Sequence, residues 1–123
     1  MIKVSDLNGN QERFVRETTA PFTIVEDGKE RVETIRVRYY SRSIKESRAL
    51  QAALVAKEEA SAGTLYMSEI LLPILESLPD FVDEKDKPAK VTKDLLDRFN
   101  AINLNAIHRA IAEDIAPKAQ PPK

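Results

Sequence analysis

The sequence predicts an α+β fold, in which an N-terminal antiparallel β-hairpin leads into a mainly α-helical bundle of about four helices. Three observations predict it. Residues 22–40 contain two stretches that alternate with a period of two and favour β structure. From Ser43 the chain turns rich in Ala, Leu, Lys, Glu and Gln, all good helix formers. Further apolar stripes at helical spacing recur to Ile115, separated by short segments carrying Gly, Pro and Asp. With 123 residues, the chain has the length of one domain. Its predicted extent is 1–117: an arm over 1–20, the hairpin over 22–40, the helical part over 43–116, then a disordered tail over 118–123.

The arm reads weakly. Ile2 and Val4 alternate with polar neighbours, Asn8-Gly9 is a turn signal, and Phe14-Val15 is an isolated apolar pair, so one short strand is the most it promises. In the hairpin, Phe22 and Ile24 alternate with Thr23 and Val25, and Ile35, Val37 and Tyr39 with Arg36, Arg38 and Tyr40. Asp27-Gly28 invites a two-residue turn. That turn would set Ile24 opposite Arg31 and Phe22 opposite Glu33, mixing charge into the core face. A four-residue loop over 28–31 sets Ile24 against Ile35 and Phe22 against Val37, and burial favours this longer loop.

Ser43-Ile-Lys-Glu46 has capping-box spacing and opens a helix to about Ala62. Ala49, Ala53, Ala56 and Ala60 form a smooth stripe on it, with Leu50 and Leu54 alongside. Gly63 ends or loosens this helix. A second helix is expected from Thr64 to Leu78, with Pro73 either kinking it or starting a new helix near Leu72. The run Leu71-Leu72-Pro73-Ile74-Leu75 is apolar all round. Leu71, Leu72, Ile74 and Leu75 therefore mark either a partner-binding or self-association surface, or the central core helix.

Residues 79–91 read as a loop pinned by Phe81, Val82 and Val91. Thr92 is a good N-cap. Beyond it, Leu95, Leu96 and Phe99 mark one helical face and Ile107, Ile111 and Ile115 another, with a break near 100–103 around Asn100 and Asn103. Pro117 stops the last helix.

Chemistry is sparse. Cysteine is absent, which excludes disulfides, thiol nucleophiles and Cys-ligated zinc. His108 is the single histidine and has no Ser or Cys at helpful spacing, so a surface or boundary position is expected of it. Asp80, Asp83, Glu84 and Asp86 resemble a calcium loop, but Lys85 stands where the turn glycine belongs and Val91 where the final glutamate belongs. The Arg36–Arg42 stretch mixes arginine with tyrosine, yet strand alternation accounts for it. Residues 57–86 hold eight acids against two bases, an acidic middle that argues against wrapping nucleic acid. The N-terminal residues lack the apolar stretch of a signal peptide, and the longest apolar run is far short of a membrane span. The expectation is a cytosolic protein that is not an enzyme, with no cofactor, metal or nucleotide.

Val32 to Tyr40 with Val37-Arg38, the polar helix from Ser43, then Pro88-Ala-Lys-Val91-Thr92-Lys-Asp-Leu95-Leu96 and the continuation through Ile107, Ala110-Ile111 and Pro117 follow a familiar order. Over roughly residues 22–117 this resembles the tail assembly chaperones of long-tailed, siphovirus-type bacteriophages and prophages. Phe81 stands where many relatives have Trp, and Lys85-Asp86-Lys87 lacks their turn glycine. The resemblance implies a protein that coats the tape measure protein during tail assembly in the host bacterial cytoplasm and is absent from the mature virion. It implies self-association and names the tail tube protein as a further candidate partner. It carries no catalytic residues. Two other classes stay open: a structural virion component, such as a head–tail connector or tail terminator, and a small nucleic-acid-binding regulator. A connector would be found in purified particles, and a regulator would bind nucleic acid with steep salt dependence.

Overall fold

The structure, a computed structural model, describes residues 3, 14–42, 44–60 and 66–115. The elements in order are β1 (Phe14–Glu26), β2 (Lys29–Ser41), α1 (Ile44–Ala60), α2 (Met67–Leu71), β3 (Leu75–Ser77), α3 (Lys93–Asp97) and α4 (Ala101–Ile115). The α+β class, with its N-terminal antiparallel hairpin, is as the sequence predicts. The three strands form one antiparallel sheet in the order β1-β2-β3, with β2 in the centre.

The hairpin corrects two expectations. Its strands begin at Phe14 and end at Ser41, so residues 14–20 belong to the sheet and not to an arm. Its turn is the two-residue Asp27-Gly28 turn, with Glu26 opposite Lys29, and the four-residue loop over 28–31 does not form. Both turn residues have positive φ, 53° at Asp27 and 73° at Gly28, the backbone of a hairpin turn whose twist matches the strands. Ile24 therefore faces Arg31 and Phe22 faces Glu33, while Ala20 lies opposite Ile35 and Thr18 opposite Val37. The core face is not wasted, because the core runs diagonally across the hairpin. Ala20 and Phe22 on β1 and Ile35, Val37 and Tyr39 on β2 are buried, whereas Arg31 and Glu33 lie exposed near the turn.

Pro21 fits inside β1 for a related reason. Counting from the turn, Pro21 and Thr34 form a pair that exchanges no hydrogen bonds, so the missing N–H falls on the side of β1 away from β2.

Pro73 also acts differently from expectation. The helix expected over 64–78 is cut to the single turn Met67–Leu71, and residues 72–74 turn the chain into β3. A proline cannot donate the next helical bond, and the freed chain pairs with β2 instead, Leu75 opposite Tyr39 and Ser77 opposite Arg38 with an irregularity between them. Tyr40 N–H donates to the Ile74 carbonyl at 2.9 Å, continuing this edge.

The loop that follows is tied down by Asp80 and Asp83. Asp80 accepts from the Arg36 backbone N–H at 2.6 Å and from its guanidinium at 2.9 and 3.1 Å. That hydrogen bonding holds the Asp80 carboxyl below its ordinary value. Asp83 accepts from the N–H groups of Lys85 and Lys87, a local turn that competes with any metal for its oxygen. Phe81 and Val91 pack against the core as expected, while Val82 is exposed.

Thr92 caps α3, its hydroxyl accepting from Leu95 N–H at 3.1 Å. The break between the last helices falls at residues 98–100, and α4 starts at Ala101, with Asn100 accepting from Asn103 N–H at 2.9 Å. Leu96, Leu104, Ile107 and Ile111 join the strand residues in one core. Phe22, Phe81 and Phe99 form an aromatic trio, ring centroids 5.0–5.2 Å apart, that ties β1, the loop and the end of α3 together. The turn at Asn8-Gly9, the Ser43 cap, Gly63, Pro117 and the tail over 118–123 lie outside the described residues.

Candidate functional site

The structure divides the segment singled out from sequence. Leu71 and Leu75 are core residues, 0% and 4% exposed, and Leu72 and Ile74 are half-buried against that core. The segment is not a helix that is apolar all round. It is a one-turn helix end, a turn and a strand start, and its side chains are divided between the core and one groove.

That groove, about 360 Å³, lies between α1, the C-terminal half of α4 and the end of β2. Leu71 and Ile74 reach it from one side, Leu50 and Leu54 of α1 from another, and Ile111, Ala112 and Ile115 of α4 from a third. Tyr40, Arg42, Ser47, Gln51 and His108 supply its polar groups. His108 is exposed there, in keeping with the surface position expected of it.

The wall formed by α1 is unusual. It is a 17-residue helix with no buried residue. Ala49, Ala53, Ala56 and Ala60, the smooth stripe, face solvent, and only Leu50, Leu54 and Glu46 are half-buried. A helix of this length is marginal alone in water and in proteins usually rests on a buried apolar face. What holds α1 is partly ionic. Lys57 reaches Glu69 on α2 at 3.4 Å, and Arg42, just before the helix, reaches Glu46 at 3.7 Å. Such pairs contribute little when exposed. The Arg42 guanidinium also donates to the Pro73 carbonyl at 2.6 Å and lies 5.4 Å from the centroid of the Tyr40 ring.

No protein-family model, curated protein or solved structure matches the chain.

The groove is therefore judged on its own chemistry. Among the described residues no three His, Cys, Asp or Glu side chains converge as a metal site would need. Arginines of the Arg36–Arg42 stretch already have carboxylate neighbours: Arg36 with Asp80, Arg38 with Glu76 at 3.7 Å and Arg42 with Glu46. Among the described residues no helix is long and apolar enough to cross a membrane. An open apolar trough with one loosely held helical wall suits the apolar stripe of another helix. Leu50 and Leu54 were legible in the sequence as residues beside the alanine stripe. Their role as a groove wall was not, because it depends on where α1 lies relative to β2 and α4.

Proposed function

We propose that this chain is a non-enzymatic tail assembly chaperone that binds the tape measure protein during tail morphogenesis in the host bacterial cytoplasm. The observation that carries the binding reading is α1, a long helix with no fully buried residue that nonetheless walls an apolar groove. A helix held so weakly can move outward to admit a client and settle onto it, covering Leu50, Leu54 and Ile115 in the complex. The client chemistry that fits is the apolar face of a helix, which a tape measure protein offers repeatedly along its length. The tape measure protein itself is named by the sequence resemblance, over Val32–Tyr40 and Pro88–Pro117, and not by the groove.

Co-expression tests the proposal. The long, helix-rich protein encoded downstream should stay soluble and co-purify when this chain is present, and aggregate when it is absent. Purified phage particles should lack the chain by mass spectrometry. A downstream protein that is equally soluble alone, or stoichiometric chain in the particles, would overturn the chaperone reading.

A further inference from the structure

We propose that two copies of this chain pair through the outer edge of β1, forming a twofold-symmetric dimer with a continuous six-stranded sheet. This surface is distinct from the groove under α1 and does not rest on the chaperone reading.

The inference starts from how the protein treats that edge. From the hairpin register, the backbone groups of Val15, Glu17, Thr19, Pro21 and Thr23 point away from β2. At one end the chain covers its own edge, because Asn103 bonds both the N–H and the carbonyl of Thr23. At Pro21 the donor is missing. Val15, Glu17 and Thr19 remain, and no described residue bonds their outward N–H and carbonyl groups. An open edge of this kind is a template for another strand.

The helix beside the edge selects the occupant. A groove of about 390 Å³ separates β1 from α4, lined by Thr18, Thr19, Ala106, Arg109, Ala110 and Glu113 among others. Arg109 and Glu113 are exposed and form no ion pair with any described residue. Contacts of Asn103 with Thr23 and of Asp114 with Arg16 set α4 antiparallel to β1. Interpolating between those contacts places Thr18 level with Ile111, which is also the midpoint between Arg109 and Glu113. A twofold axis at Thr18 then sets Glu17 of one copy against Thr19 of the other, where each can exchange both backbone bonds. The same axis brings Arg109 of one α4 across from Glu113 of the second copy, twice. Small Ala106 and Ala110 allow the helices to approach. An axis at Glu17 would oppose two carboxylates, and one at Thr19 would set Glu17 against the donorless Pro21. The charge pattern is thus self-complementary about the same point that suits the strands, which favours a second copy over an unrelated strand.

Sedimentation equilibrium of the full chain should show a monomer–dimer equilibrium. Thr19→Pro removes an outward N–H and none of the hydrogen bonds to β2, so the fold should persist while dimerisation is lost. Arg109→Glu alone and Glu113→Arg alone should each raise the dissociation constant about tenfold or more. Mixing the two single variants should restore association as a heterodimer, which no intramolecular pairing can do. A monomer at every concentration, a dimer that survives Thr19→Pro, or single variants that fail to rescue each other would each overturn the proposal.

Discussion

The Asn103 carboxamide grips the backbone of Thr23, accepting from its N–H at 2.7 Å and donating to its carbonyl at 2.9 Å. Asn103 is 3% exposed and sits in the first turn of α4, 80 residues from its partner in sequence. Acting as a strand would, it satisfies the edge of β1 at Thr23 and ties the start of α4 to the sheet. Asp114, bonded to Arg16 and Tyr39, ties the other end of α4 to the hairpin.

Asn103→Ala should cost about 1–3 kcal/mol, because it leaves two backbone groups of Thr23 without partners in a partly buried place. Urea unfolding measures this directly. A loss below about 0.5 kcal/mol would mean that water replaces the carboxamide without penalty.

Stability should fall in alkaline solution through Tyr39. Burial pushes its phenol above the ordinary value of 10.0, the nearby Asp114 carboxylate pushes the same way, and Arg16 partly opposes them. A proton held more tightly in the folded state stabilises it fully below the ordinary pKa, and that contribution is lost as pH rises through the raised one. The Tyr39 hydroxyl donates to Asp114, so Tyr39→Phe should lose about 1 kcal/mol at neutral pH and flatten the alkaline decline. An unchanged decline in the variant would assign it to other groups.

Gly28→Ala should destabilise the hairpin by about 1 kcal/mol through backbone strain alone. The residue has φ of +73°, and a Cβ there would meet nothing within 4 Å. Chemical denaturation should show the loss with an unchanged slope. A much larger loss would reveal crowding at the turn.

Burial separates two leucines that look alike in sequence. Leu71→Ala should cost about 2–5 kcal/mol, as for a filled core position, and Leu54→Ala under about 1 kcal/mol. Equal losses would place α1 in the core after all.

Local rules made much of this fold legible. Thr92 capped the helix it was expected to cap, and the alternation at Phe22–Ile24 and Ile35–Tyr39 located the hairpin. The register is not legible from facing apolar residues, because the core crosses the strands obliquely and leaves Arg31 and Glu33 outside it. Pro73 reads from the sequence as either a kink or the start of a new helix, but a proline also frees the chain to pair with β2, a non-local gain that spacing does not encode. The sequence places Asn103 at the edge of a break over residues 100–103, whereas it lies inside α4. Its position four residues before Ile107 and eight before Ile111 put it on the buried stripe, and that spacing was the available signal. The groove was least legible, since its wall is defined by tertiary placement of a helix with no fully buried residue.

The most direct measurement is calorimetric titration of the chain with helical segments of the tape measure protein, comparing wild type with Leu54→Glu. The charge lies on a half-buried groove wall outside the core, so the variant should keep its far-UV spectrum and melting temperature. Saturable binding by wild type that the folded variant loses is the predicted result. Undiminished binding by Leu54→Glu, or no binding by wild type to any segment, would contradict the account.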